Sequence, residues 1–197
     1  MTMAGIKIKG LTKIYEIKNR EIRALSDITL DVEEGSFVTV VGRSGSGKTT
    51  LLRLLGGLEK KSRGEVLFTA GDGREGETKI SMVFQEPRLM PWLTVEENMA
   101  FSFRGEDPAA IRYVVDRHLK LLGLQDFAQA YPHQISGGMA QRVALGRTLC
   151  YDPEVILMDE PLGALDAFTR RGLQREIAKL FIHQNKTVVF VTHDVDE

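Results

Sequence analysis

Two short runs hold most of the chemistry this chain can do. Gly42-Arg43-Ser44-Gly45-Ser46-Gly47-Lys48-Thr49 fits the pattern G-x-x-x-x-G-K-[ST] in full. Its glycines let successive backbone N–H groups converge on phosphate oxygens, and a helix opening at Lys48 adds positive potential. Lys48 would then reach the β- and γ-phosphates of a nucleoside triphosphate, and the Thr49 hydroxyl would ligate Mg²⁺. The second run, Val155-Ile156-Leu157-Met158-Asp159-Glu160, is four apolar residues followed by two carboxylates. A strand of that composition delivers Asp159 to its carboxyl end as a Mg²⁺ ligand, with Glu160 one residue further on, placed to activate a water. By itself an apolar strand ending in two acids is usually a solvated strand end; pairing with the Gly42–Thr49 loop gives it a role. A third run, Gly71-Asp72-Gly73-Arg74-Glu75-Gly76, fits G-x-G-x-x-G but precedes a strand instead of opening a helix, which excludes a dinucleotide site there.

The elements that must position these groups are legible as alternating patterns. Phe37–Val41 is β-branched and bounded by Gly35 and Gly42, the composition of a buried strand. Leu51, Leu52, Leu54, Leu55 and Leu58 make the packed face of the following helix, with Arg53 outside and Gly56-Gly57 closing it. Short β runs are expected at Ile6–Ile8 and Ala24–Val32. Further strands fall at Glu65–Phe68 and Ile80–Phe84, joined by a polar, glycine-rich turn over 70–78. From Thr94 to about Cys150 the pattern is mainly helical, broken by a loop at Tyr131–Gln134. Val155–Met158 is a buried strand, 167–183 an amphipathic helix and Thr187–Thr192 a final strand. Fully apolar strands alternating with helices imply a parallel sheet covered on both faces, with the block 94–150 as a helical subdomain inserted into one domain spanning 1–197.

Composition narrows the classes. The chain has 197 residues, 43% hydrophobic and 27% charged, and a formal net charge of −1, so it is an ordinary globular sequence without the basic footprint of a nucleic-acid binder. The single cysteine, Cys150, precludes an internal disulfide and suits a reducing compartment; its apolar helical neighbours argue for a buried, inert thiol. The N-terminus lacks the apolar core of a signal peptide, and no apolar run approaches the length of a bilayer span.

With both runs in place, the chain resembles the nucleotide-binding subunit of an ATP-binding cassette (ABC) transporter nearly from end to end. Ile135-Ser136-Gly137-Gly138-Met139-Ala140-Gln141-Arg142 resembles the family signature Leu-Ser-Gly-Gly-Gln, Gln85 stands where the family has its Q-loop glutamine, and Ala164-Leu165-Asp166 resembles its D-loop. His193 resembles the switch histidine after the last strand, and Tyr15 in Leu11-Thr-Lys-Ile-Tyr the aromatic that stacks on adenine. The resemblance implies an α/β P-loop NTPase (RecA-like) core with a mainly parallel sheet, an N-terminal antiparallel β subdomain and the inserted helical subdomain. It implies a head-to-tail homodimer with ATP and Mg²⁺ between the copies. Gly42 to Thr50 of one copy and Ser136, Gly137 and Gly138 of the other would surround each nucleotide, the latter at a helix N-terminus facing the γ-phosphate. Catalysis would fall to Glu160, His193, Gln85 and Lys48; Mg²⁺ to Thr49, Gln85 and Asp159; communication between the two sites to Asp166. Taken singly, Ser136-Gly-Gly is an ordinary helix cap, His193 a surface histidine, Gln85 a solvated loop amide and Tyr15 a half-buried strand aromatic; it is their order along one chain that raises them.

Two departures and a subgroup complete the resemblance. Met139 stands in place of the usual signature glutamine, so it cannot return a capping-box hydrogen bond to Ser136, a loss of ~1 kcal/mol or less. That variant, with Phe84-Gln-Glu-Pro-Arg-Leu-Met-Pro-Trp-Leu-Thr-Val95, is similar to importer ATPases for nitrate, sulfonate, taurine and related anions. The implied partners are an integral membrane permease and, indirectly, a solute-binding protein, at the cytoplasmic face of the membrane. Leu89, Met90 and Trp92 are then contact candidates for the permease, or else a local cluster under a loop. The second departure is the ending: the chain stops four residues after His193, where family members continue, so it is expected to be a fragment or a short variant. Two rivals stay open at this point, a soluble non-transport ABC ATPase and an assembly module that binds ATP without turnover.

Overall fold

The computed structural model describes residues 4–18, 20–70, 78–103, 105–163, 170, 172, 174 and 186–193. They fall in two compact units, each built around its own elements. The expected turn over 71–77, most of the helix expected at 167–183 and the triplet 164–166 with Asp166 lie outside the described residues.

The first unit spans Met1–Met82, Glu154–Glu160 and Gln174–Glu197. Strands β1 (Ala4–Ile17) and β2 (Arg20–Val32) form a long antiparallel hairpin, and β4 (Arg63–Ala70) pairs with the other edge of β1. Both hairpin strands outrun the short β segments expected from sequence. Their outer ends carry charge, as in the opposed pairs Glu16 with Glu21 and Ile17 with Arg20, which dilutes the apolar signal without stopping the pairing. Register shifts between Ile8 and Leu11, Leu11 and Lys13, and Lys13 and Ile14 also break the two-residue period.

The second sheet has the order β3 (Phe37–Val41), β7 (Thr187–Thr192), β6 (Val155–Asp159) and β5 (Ile80–Val83). β3, β7 and β6 run parallel. Every position of β6 and β7 is buried, as their uninterrupted apolar sequences require. β3 departs from expectation. It lies at the edge among the described strands, and Phe37 and Val41 remain 45% and 46% exposed. Composition resembles that of a central strand; position in the sheet decides its burial. β4 and β5, consecutive in sequence, belong to different sheets.

Helix α1 (Lys48–Leu55) buries Leu51, Leu52, Leu54 and Leu55 in the core shared with Ile6, Ile8 and Leu11 of the hairpin and Val155, Leu157 and Val189 of the parallel sheet. Leu58 is not part of that face. The helix ends where the Gly56 N–H closes on the Leu52 carbonyl at 2.8 Å, and Leu58, beyond the turn, is 57% exposed. Buried Thr187 ties the two sheets: its hydroxyl donates to the Ala4 carbonyl (2.7 Å) and accepts from the Gly35 N–H (2.9 Å).

The second unit, Val83–Pro153 with Pro161–Leu173, holds helices α2 (Val95–Ala100), α3 (Pro108–Leu121) and α4 (Gly137–Tyr151). α2 starts with a capping box. The Glu97 N–H donates to Thr94 Oγ1 (3.3 Å), and the Thr94 N–H donates to Glu97 Oε2 (2.8 Å). Instead of an open loop, Pro132–Gln134 is a turn of 3₁₀ helix. α4 packs closely on its neighbours at Gly146, where a Cβ would lie 2.5 Å from Met99 Cε and 2.9 Å from Leu122 Cδ1. Cys150 is buried beside His118, and burial pushes its thiol up to about 12, so the thiolate is not formed at neutral pH.

Candidate nucleotide site

The parallel strands end level. Val41 is opposite Thr192, and Asp159 is opposite Val191, so the carboxyl ends of β3, β7 and β6 bring Gly42, His193, Asp159 and Glu160 to one rim of the sheet. From Gly42 the chain turns through exposed Arg43, Ser44, Gly45 and Ser46, closed by a Ser46 N–H bond to the Arg43 carbonyl at 3.2 Å. It enters α1 at Gly47, with φ 95°; a Cβ there would lie 2.5 Å from the Ala24 carbonyl oxygen of β2. Backbone sign and close approach both demand glycine at this position.

Lys48 is buried, and its ammonium donates to the carbonyls of Gly42 (2.6 Å) and Arg43 (3.0 Å). The loop therefore encloses its own cation. Thr49 Oγ1 donates to Asp159 Oδ1 at 3.0 Å. Burial is the main force raising the Asp159 pKa, and the neighbouring charge of Glu160 adds to it; the Thr49 hydrogen bond, Arg53 and Lys48 act the other way. A hydroxyl and a carboxylate oxygen side by side suit a hard cation such as Mg²⁺, which takes a few protein oxygens and completes its shell with phosphate and water. Thr50, next along α1, is half-buried.

Glu160 follows β6 in the left-handed region, φ 45°, held there by its N–H bond to the Val191 carbonyl (2.9 Å). Its carboxylate Oε2 lies 3.1 Å from His193 Nδ1. The sequence singled out both residues, but nothing in their spacing foretold that contact. Tyr15, half-buried on β1, is opposite Ile22 of β2, two residues from the Ala24 carbonyl that abuts Gly47. The hairpin thus brings Tyr15 toward the loop.

The second unit carries the remaining candidates. Ser136 caps α4, its hydroxyl accepting the Met139 N–H at 3.2 Å, and Gly137 and Gly138 are the first helical residues, whose amides lack intrahelical acceptors. Gln85 is exposed at the start of an irregular segment running to Thr94. Three side chains the sequence reading did not single out by themselves shape that segment. Gln141 Nε2 donates to the Phe84 carbonyl (3.1 Å), and Arg147 donates to the carbonyls of Arg88 (3.1 Å) and Pro87 (3.2 Å). Fully buried Asn98 accepts the Met90 N–H (2.8 Å) and donates to the Met90, Leu93 and Thr94 carbonyls. Polar residues on the buried faces of α2 and α4 were the available signal. Trp92, within the segment, is 71% exposed, whereas Leu89 and Met90 are half-buried.

A glycine-rich loop joining a parallel strand to a helix, with Asp159 on the same rim, defines an α/β P-loop NTPase core with an antiparallel β sheet and a helical unit. The chain belongs to the ABC transporter family, whose pattern it matches over residues 25–163, and it is an ATPase of that family. It is 46% identical to an uncharacterised ABC transporter ATP-binding protein of Methanocaldococcus jannaschii, over 98% of this chain and 73% of that one. It is 43% identical to the aliphatic sulfonates import ATP-binding protein SsuB of Bacillus cereus (98% of this chain, 76% of the relative). With the taurine import ATP-binding protein TauB of Roseobacter denitrificans it shares 42% identity (99% and 74%). Among solved structures it superposes with a TM-score of 0.86, at 37% identity and over 97% of this chain and 89% of the other, on a dimeric ATP-binding cassette in a post-hydrolysis state bound to ADP and Pi.

Proposed function

We propose that this chain is the ATP-hydrolysing subunit of an importer for a small organic or inorganic anion of the sulfonate, taurine or nitrate kind, working beneath a separate membrane permease. The likeness to SsuB and TauB over nearly the whole chain supports the importer reading. No helix among the described residues is long and apolar enough to cross a membrane, so attachment through a permease accords with the fold. The observation that carries the chemistry is the rim where Thr49 meets Asp159 and Glu160 meets His193.

In this reading the amides from Gly42 to Gly47 cradle the phosphates, with Arg43, Ser44, Gly45, Ser46 and Thr50 completing the loop, and Lys48 exchanges its two carbonyl acceptors for phosphate oxygens. Thr49 and Asp159 hold Mg²⁺, whose chemistry is to offset charge on the phosphates. Glu160 accepts a proton from the attacking water while His193 orients its carboxylate and faces the γ-phosphate. The roles of Gln85 toward Mg²⁺ and water, of Asp166 between sites and of Ser136, Gly137 and Gly138 toward the partner copy's γ-phosphate rest on the family resemblance. Stabilising phosphate charge across a dimer interface is electrostatic preorganisation, with backbone dipoles as donors. The test is co-purification from detergent-solubilised membranes: recovery of the chain with a polytopic permease, and phosphate release from Mg-ATP by that complex, is expected. Recovery with nucleic acid or ribosomes instead would overturn the importer reading.

A further inference from the structure

Tyr15 does not stand alone on β1. The Lys13 ammonium lies 4.6 Å from the centroid of the Tyr15 ring, on the same side of the strand two residues earlier. Its position is set twice over: Nζ donates to the Lys60 carbonyl at 2.8 Å and pairs with Glu59 Oε2 at 3.0 Å, and the Lys13 side chain is only 12% exposed. Glu59 and Lys60 lie four and five residues past the end of α1, the helix that opens at the phosphate loop, just beyond its closing Gly56-Gly57 turn. The same stretch is laced to β1, with the Ser62 N–H donating to the Thr12 carbonyl (2.9 Å) and the Ile14 N–H donating to Ser62 Oγ (3.0 Å). The segment that follows the phosphate-loop helix therefore holds a cation against one face of the ring.

We infer that Lys13 is a positioning residue for the nucleotide base: it fixes the plane of the Tyr15 ring and occupies one face, so that the base stacks on the other. This rests on the assignment of Tyr15 to the base. A cation held on an aromatic face fixes the ring electrostatically and withdraws electron density from it. The opposite face is then better matched to an electron-rich purine. Glu59 and Lys60, by anchoring the ammonium, keep the ring ready before nucleotide arrives, which lowers the ordering cost of binding. Neither Lys13 nor Glu59 touches nucleotide in this account; both act through Tyr15.

The experiment is a double-substitution cycle read by direct ATP titration, with inorganic tripolyphosphate as a base-free competitor. Lys13→Met is expected to raise the ATP Kd by roughly three- to tenfold, leave the tripolyphosphate inhibition constant unchanged, and have no further effect in a Tyr15→Ala background. Lys13→Arg, which also sits on aromatic faces, is expected to restore ATP affinity. Glu59→Gln, which loosens the ammonium without removing it, should give a smaller effect of the same sign and serves if Lys13→Met does not fold. Equal weakening of ATP and tripolyphosphate, or full additivity of Lys13→Met and Tyr15→Ala, would overturn the proposal, because Lys13 would then act on the loop or the fold at large. Loss of affinity in Tyr15→Ala but none in Lys13→Met would overturn it alone. Undiminished ATP affinity in Tyr15→Ala would overturn the base assignment beneath it.

Discussion

His193 and Glu160 meet at 3.1 Å although they come from different strands, because β7 and β6 run parallel with Val191 opposite Asp159 and end at the same level. The Glu160 N–H bond to the Val191 carbonyl locks that level. In the proposed mechanism, an imidazole so placed orients the carboxylate that receives the water's proton. His193→Ala is expected to lower steady-state phosphate release by about 10²-fold or more, a span usual for loss of a positioned proton-transfer partner. ATP affinity, measured by titration, should change less than about threefold if the histidine acts mainly on the chemical step.

Asp159 gives a pH signature. Its folded pKa is raised, chiefly by burial. The native state therefore holds a proton that the unfolded chain releases earlier, and this group favours folding at low pH and loses that contribution as pH climbs from the ordinary carboxylate range through the raised value. Asp159→Asn keeps an acceptor for Thr49 and removes the charge. The nucleotide-free variant should melt higher than the wild type at neutral pH, with a gain of about 2–4 °C for each kcal/mol recovered in a chain of this size. It should also lose the extra stabilisation that Mg²⁺ gives with ATP. Paired melting scans in EDTA and in Mg-ATP read both effects.

Two glycines should behave oppositely. At Gly47 an added methyl would collide with the Ala24 carbonyl at 2.5 Å, at φ 95°, so Gly47→Ala is expected to cost on the order of 2 kcal/mol or more in urea denaturation and to abolish ATP binding. At Gly137 nothing lies within 4 Å of such a methyl. Gly137→Ala should leave stability within about 0.5 kcal/mol. If the partner copy's γ-phosphate packs there, turnover falls while ATP binding to the isolated chain stays intact.

The Phe84–Thr94 segment should owe its shape to side chains of α2 and α4. Asn98, fully buried, accepts one hydrogen bond and shares its two amide hydrogens among three carbonyls, so Asn98→Ala is expected to destabilise by about 2–4 kcal/mol. Arg147→Met removes two carbonyl partners and should free the amides around Arg88, itself at φ 47°, for hydrogen exchange. Protection at β6 and β7 should be unaffected.

What could be seen in the sequence follows from how local its cause is. The phosphate loop, the buried strands β6 and β7, the Ser136 cap and the leucine face of α1 up to Leu55 are written in contiguous residues, and each is visible there. The exposure of β3 was not, because Val-Thr-Val-Val has the same composition at an edge as at a centre. Leu58 lies off the packed face because the helix is stopped by Gly57 at φ 67°, where the Leu58 N–H turns back to the Arg53 carbonyl, before the apolar pattern ends. The hairpin's length was hidden by charged outer ends and by register shifts. The Glu160–His193 contact and the clamps from Gln141 and Arg147 depend on strand register and helix docking, which no short window of sequence contains.

The central claim is that two copies of this chain close on ATP, each completing the other's site. The most direct measurement is the solution mass of Glu160→Gln by light scattering, with and without Mg-ATP. Removing the carboxylate should block hydrolysis and hold the closed state, so the account predicts a monomer without nucleotide and a dimer with it. A monomer under both conditions, with ATP binding demonstrated in the same sample, would contradict the shared site.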